Sequence, residues 1–251
     1  MNFLKRFRRA ERPFCTAVVV AAGSARRMQG VDKVMAEVAG EPVILRTLRT
    51  LCGCEQVDEV IVVTREDLIV PIGDVCRENG LDKVKKIIVG GADRAHSVLN
   101  GVNEADKRAS VIAVHDGARP FVPVEVVANT IGEAVRSGAA APAVPVADTI
   151  KTAQDHVVTG TPDRSTLFAV QTPQVFDADL LRGALHYCIS RNVPITDDCS
   201  AVEALGMQVH LTDGSEENIK ITTPLDLELA QTILKRRRRA CASERAMTST
   251  D

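Results

Sequence analysis

An α/β fold with a mostly parallel, twisted sheet is the architecture this sequence predicts, and three observations predict it. Short apolar runs over 16–22, 57–64, 84–89 and 111–114 alternate with segments of helical spacing. The first run is continuously apolar from Ala17 to Ala22, as expected of a strand covered on both faces. The runs also end in small or polar residues: Gly23-Ser24 after the first, Gly90-Gly91 after the third and His115-Asp116-Gly117 after the fourth. Turns of that kind let backbone N–H groups approach a ligand.

Composition bounds the classes that remain. With 251 residues and 45% hydrophobic content, the chain can fill the core of one domain. Its formal net charge of -2 argues against the broad basic surface that a nucleic-acid partner requires. Seven cysteines without a repeated CxxC pair suggest neither a disulfide framework nor a zinc knuckle, and they suit a reducing cytoplasm. The opening MNFLKRFRRAER lacks the apolar centre of a secretory signal, and no apolar run reaches 18 residues, so no membrane partner is expected. Residues 1–14 read as a flexible extension, 15–235 as the domain and 236–251 as a disordered tail.

In chain order, Pro42 opens a helix over 42–51, where Val43, Ile44, Leu48 and Leu51 share a face. The second strand follows, then a helix over 66–79 closed by Gly80, the third strand, and a helix over 93–105 burying Val98, Leu99, Val102 and Ala105. Such alternation builds a parallel sheet, and ligands of open α/β sheets lie beyond the carboxyl ends of the strands. The Gly91 turn is therefore expected to face the Gly23 turn across one crevice, to which the fourth strand delivers Asp116 and Arg119. After a helix over 124–136, the prolines of AAAPAVPVADTIK predict a strand confined to an edge or to a bulge. Over 148–166 the pattern breaks into polar strand and turn residues, which predicts an inserted hairpin arm. A helix over 177–191, a short helix capped by Thr196 or Asp197, a strand over 207–212, an extended piece over 218–221 carrying Lys220, and a helix from Pro224 follow. The basic run at 235–239 reads as a solvated helix end.

The stretch TAVVVAAGSARRMQGVDK at 16–33 carries the strongest chemical signal. Its turn has almost no side chain, and Arg26, Arg27 and Lys33 supply the positive charge that a triphosphate needs. It matches neither GxxxxGK[ST] nor GxGxxG. Asp116 reads either as a ligand for the magnesium that accompanies a nucleoside triphosphate or as the ion-pair partner of Arg119; the neighbouring loops favour the metal. Asp197 and Asp198 suit helix capping better than a metal pair, because adjacent residues at a helix start diverge. His115 reads as a structural residue at a strand end. No Ser, His and acid set suggests hydrolysis.

AAGSARRM followed by Lys33, HDGARP at 115–120 and NIKITTPLDL at 218–227 together resemble the bacterial 2-C-methyl-D-erythritol 4-phosphate cytidylyltransferases, over about residues 16–234. The resemblance implies a single Rossmann-like domain whose inserted β-arm crosses to the partner in a homodimer. It also implies CTP and a sugar-alcohol phosphate as substrates and magnesium as cofactor. On it, Ala21, Ala22, Gly23 and Ser24 bind CTP, with Gly91 and Ser97 near the base. Arg27, Lys33, Arg164 and Lys220 are catalytic; Arg119, Thr149 and Thr172 contact the acceptor; magnesium lies near Asp116. Ala25 stands where that family commonly has glycine, and Ala92 where it often has an acidic residue. Ribitol 5-phosphate cytidylyltransferases share the fold, but VPVADTIK and HDGARP look more like the methylerythritol branch. A silent nucleotide-binding subunit is disfavoured by the joint presence of Arg27, Lys33, Arg164 and Lys220. A nicotinamide dehydrogenase is disfavoured by Thr64 and Arg65, where it would want an acidic residue.

Overall fold

The computed structural model of the chain describes residues 12–23 and 32–248. Its centre is an eight-stranded mixed sheet in the order β10-β7-β11-β6-β1-β4-β5, with β12 on the other edge of β7. β1 (Phe14–Val20), β4 (Glu59–Thr64), β5 (Val84–Val89) and β6 (Ala109–Asp116) are mutually parallel. Between β1 and β4, the short strands β2 (Glu37–Val38) and β3 (Glu41–Pro42) form a small hairpin that the sequence did not announce. Its turn places Ala39 and Gly40 at φ 53° and 77°.

Period-two alternation distributes the strand side chains between two cores. Ala17, Val19, Val60, Val62 and Val111 face α1 (Val43–Gly53), α2 (Ile69–Glu78) and α4 (Val124–Ser137). Val18, Ile61, Val63, Ile112 and Val114 face α3 (Arg94–Glu104), α5 (Ala178–Arg191) and α6 (Asp198–Glu203). Both faces of β1, β4 and β6 are therefore covered, whereas β5, at the edge, carries the exposed Lys85 and Lys86. α3 approaches so closely that a Cβ on Gly101 would lie 2.4 Å from Val18 Cγ1.

The helix expected over 66–79 is split: Glu66–Leu68 is a 3₁₀ turn, and α2 begins at Ile69. Of the edge or bulge expected for β7 (Ala139–Pro145), the edge is excluded: the strand is interior, and its ladder is interrupted at Pro142. β10 (Phe168–Val170) and β11 (Gln174–Asp177) pair antiparallel with its two ends, while β12 (His210–Asp213) pairs parallel with 140–143. Pro142 is accommodated at the break between the first two. Its carbonyl accepts from Gln171 N at 2.7 Å, so the position of its missing N–H faces the same gap and no ladder bond is lost. β11 also separates β6 from β7, making the sheet mixed where alternation alone suggested a parallel run.

The expected insertion is a separate two-stranded hairpin, β8 (Thr152–Gln154) and β9 (Val157–Gly160), turning through Asp155 and His156 at φ 48° and 63°. Val157 and Val158 are 68% and 58% exposed. At the amino end, the expected extension over 1–14 lies outside the described residues as far as residue 11; Arg12 pairs with Asp58 and Phe14 already begins β1. At the other end, α7 (Pro224–Thr248) continues as one helix through the tail expected to be disordered after residue 235. Its Lys, Arg, Ala and Glu residues are good helix formers, and Ala230 and Ile233 anchor it against Val38, Val43, Phe121 and Ile221.

Candidate active site

Parallel pairing brings the loops after β1, β5 and β6 to one edge, where they enclose a crevice of about 390 Å³. Val20, Ala22, Gly23 and Lys33 form one wall, Gly91, Ala92, Asp93, Arg94 and Ser97 the opposite one, and Asp116, Ala118 and Lys220 the floor and end. This volume suits a nucleotide. The two glycine turns meet as expected: a Cβ on Gly90 would stand 2.7 Å from Ala22 Cβ, so only glycine permits the approach. Lys33 Nζ reaches back over the first turn, 3.3 Å from where a Cβ on Gly23 would be. Ser24 and Arg27, with Arg26 and Ala25, lie outside the described residues. Ala21 is buried beneath the turn and donates its N–H to Val63 O at 2.7 Å.

The second turn is shaped by side chains on α3. Asp93 caps the helix, accepting from His96 N at 2.9 Å. Ser97 donates its hydroxyl proton to Asp93 O at 2.7 Å and accepts from Gly91 N at 3.0 Å. Its oxygen therefore holds the turn in shape while lining the crevice. Capping also presents Arg94, the first helical residue, towards the floor.

Asp116 is the electrostatic centre. Arg94 Nη1 lies 3.0 Å from one carboxylate oxygen, and Lys220 Nζ and Arg119 Nε lie 2.9 and 3.5 Å from the other. Burial alone would raise this carboxyl, but Arg94, Lys220 and Arg119 outweigh it and hold it well below the usual carboxylate range. Of the two readings of Asp116, the ion pair with Arg119 is present, but Arg94 and Lys220 are its nearer partners. Behind it, Arg94 Nη2 donates to Asp198 at 2.6 Å. Asp198 is fully buried and lacks the additional cations, so burial pushes its carboxyl up. The two carboxylates share one guanidinium yet shift in opposite directions for that reason.

The acidic pair at 197–198 divides its work. Asp197 is the N-cap, accepting from Ser200 N at 2.9 Å in a capping box, whereas Asp198 points inward to Arg94. Among the described residues no three His, Cys, Asp or Glu side chains converge to hold a metal by themselves. His115 is structural as expected, wholly buried between Thr172 Oγ1 at 3.1 Å and Arg119 O at 3.3 Å. Burial pushes its imidazole down to about 4.

Other predicted residues do not themselves line the crevice. Arg119 braces the Lys220 loop, donating to Asn218 O at 2.6 Å, and its side chain is only 13% exposed. Thr172 lies behind Asp116, whose N–H it accepts at 3.1 Å. Thr149 is exposed at the base of the arm, and Arg164 is exposed beside it, donating to Ala147 O at 2.8 Å. Arg164 is not among the residues that line the crevice with Lys33, Asp116 and Lys220. Sequence reasoning missed Arg94. Its signal was available, since it follows a glycine turn and an N-cap aspartate at the same sheet edge, as Lys33 follows Gly23.

Known proteins match this chain over most of its length. The profile of the 2-C-methyl-D-erythritol 4-phosphate cytidylyltransferase family matches residues 15–236. The enzyme of that name from Caldanaerobacter subterraneus subsp. tengcongensis is 41% identical over 228 residues, covering 88% of this chain and 99% of the relative. The one from Geotalea uraniireducens is 40% identical over 228 residues, covering 88% and 96%. Among crystal structures, the 4-diphosphocytidyl-2C-methyl-D-erythritol synthase of Anaerococcus prevotii superposes with a TM-score of 0.80 at 30% identity, covering 88% of this chain and 96% of that one. On the strength of a sequence match that spans the strand edge, the Asp116 centre and the Lys220 loop alike, the chain belongs to the 2-C-methyl-D-erythritol 4-phosphate cytidylyltransferase family.

Proposed function

We infer that the chain transfers the cytidylyl group of CTP to 2-C-methyl-D-erythritol 4-phosphate, giving 4-diphosphocytidyl-2-C-methyl-D-erythritol and pyrophosphate. The observation that carries this reading is the juxtaposition of Lys33, Arg94 and Lys220 around two glycine turns in one crevice. An oxygen of the acceptor phosphate attacks the α-phosphorus, and the bond to the β-phosphate oxygen breaks. The nucleophile is already anionic at neutral pH, so no general base is needed. What the reaction requires is in-line positioning and neutralisation of charge.

Lys33, with Arg27, stabilises the charge redistributed over the α-phosphate and the leaving pyrophosphate. Lys220 and Arg164 position the acceptor phosphate. Gly91 and Ser97 flank the base, and Gly23 and Ser24 bring backbone N–H groups to the phosphates. Asp116, ionised at the crevice floor, is the residue that would hold a magnesium ion arriving with the triphosphate. Such an ion supplies further neutralisation of the triphosphate. Arg164 and Thr149, which do not line the crevice of their own chain, suit a homodimer in which the arm reaches the partner's site. A cytoplasmic location suits the six described cysteines, all of them free thiols.

The test is pyrophosphate release from pure protein, CTP and magnesium with each acceptor separately. Release with 2-C-methyl-D-erythritol 4-phosphate at least about tenfold faster than with ribitol 5-phosphate is expected, since an unpaired polar group in a site tuned to a different acceptor costs that much or more. The reverse ratio, or no release with either, refutes the assignment.

A further inference from the structure

Lys220 stands on an irregular segment between β12 and α7 that is anchored on one side by the buried Ile221, whose N–H donates to Ala118 O at 2.9 Å, so its position depends further on how the residues before it are held. From the sheet side, Gln171 donates to Ser215 O at 2.8 Å and Asn218 donates to Thr172 O at 2.9 Å, while Arg119 holds Asn218 O. The other side is held from α7. Arg236 and Arg237 each pair with a different oxygen of Glu217, the second through Nε at 2.7 Å. Arg237 also donates to Phe121 O at 2.8 Å, with its guanidinium 5.5 Å from the Phe121 ring centroid. The basic run is therefore not simply a solvated helix end. Arg237 lies one residue beyond the segment matched by the family profile.

We propose that Glu217, Arg236 and Arg237 form a clamp that positions Lys220 in the crevice, making the end of α7 a determinant of how the acceptor phosphate is held. Three features carry this. Glu217 is three residues from Lys220, and its side chain is only 20% exposed, so the clamp acts on backbone that has little slack. Partial burial pushes the Glu217 carboxyl up, but hydrogen bonds from Arg237 and Arg236 outweigh it and leave the group lowered, hence ionised at neutral pH. Finally, α7 is docked independently by Ala230 and Ile233, so the clamp is not needed to keep the helix in place. With Asn218 tied from the opposite side by Arg119, the loop is gripped at two successive residues, and Lys220 is directed at Asp116. These are positioning residues, since none of them lines the crevice.

The proposal rests on the role assigned above to Lys220, and a double-mutant cycle separates the two. Wild type, Glu217→Gln, Lys220→Ala and the double variant are compared for kcat and for KM of each substrate, with melting temperatures alongside. Glu217→Gln should lower kcat/KM for the acceptor by about tenfold, the scale of a modest displacement of a positioning group, and leave the CTP KM within about twofold. In the double variant its effect should vanish, because a misplaced lysine cannot matter once the ammonium is gone. Should Glu217→Gln melt early, Arg236→Gln removes the more exposed half of the clamp and should show the same non-additivity with a smaller loss. Wild-type kinetics for both clamp variants beside an impaired Lys220→Ala overturn the clamp alone. Losses that multiply in the double variant overturn it too, by revealing a general structural effect. A fully active Lys220→Ala overturns the role of Lys220 and the clamp together.

Discussion

Replacing Arg94 by Met removes the guanidinium that bridges Asp116 and Asp198 while keeping most of its aliphatic length. The two carboxylates are affected unequally. Asp116 retains Lys220 at 2.9 Å and Arg119 at 3.5 Å, whereas Asp198, with a side chain 1% exposed, loses its ion-pair partner. Breaking a buried pair from one side costs about 3–5 kcal/mol, and we take the lower end, about 3 kcal/mol, because Asp198 can relieve the cost by protonation. For a domain of this size that corresponds to a fall in Tm of about 6–12 °C. The chain has no tryptophan, so urea unfolding is best followed by far-ultraviolet circular dichroism. The sign of the pH effect follows from Asp198. Burial places its folded pKa above its unfolded value, and loss of Arg94 raises it further. An acid shifted in that direction makes stability fall as pH rises through the interval between the two values. The deficit of Arg94→Met should therefore be smaller at pH 5 than at pH 8. Adding Asp198→Asn removes the stranded charge, and the double variant should regain about half of the loss or more. A deficit below about 1 kcal/mol, or a double variant less stable than Arg94→Met, would show that the bridge does not carry the electrostatic load inferred here.

Three further outcomes follow from other parts of the molecule. Lys33→Ala should lose about a hundredfold or more in kcat with little change in CTP KM, because a charge felt mainly in the transition state acts on turnover; a raised KM with unchanged kcat makes it a ground-state binder. His115 has its pKa depressed from 6.5 to about 4, so its contribution is present above pH 6.5 and lost as pH falls towards 4, by about 3 kcal/mol; equilibrium unfolding of His115→Gln should show a flatter profile over that window, and a profile parallel to wild type refutes the account. If Arg164 acts on the partner's site, mixing inactive Lys33→Ala and Arg164→Ala chains by co-expression should restore about a quarter of wild-type activity, since about half of randomly assembled dimers are mixed and each has one intact site. Activity no higher than the separate variants, in a preparation proven to contain mixed dimers, places Arg164 within its own chain.

The sequence by itself determined the layered α/β architecture and the edge at which chemistry occurs. Continuous apolar strands with small-residue ends dictate burial on both faces and ligand approach at the carboxyl edge, and these are local properties of segments such as 16–23 and 111–117. Lys33, Lys220, Gly91 and Asp116 were found by that reasoning because each follows a strand or lies in a recognisable motif, and the structure brings them to one crevice. What only the tertiary structure decided is how the charges are shared. Arg94 joins Asp116 to Asp198 across 82 residues of sequence by linking α3, β6 and α6, and no local pattern records such a pairing. For the same reason only the tertiary structure shows that Thr172 and Arg119, expected as acceptor contacts, also support Asp116 and Asn218. The place of β7 was equally hidden. Its prolines predict an edge or a bulge without saying which, and Pro142 is tolerated inside the sheet because its missing donor faces the break between β10 and β11. A residue's own backbone chemistry is legible in sequence, whereas the direction its hydrogen-bonding groups face depends on which distant strands arrive beside it.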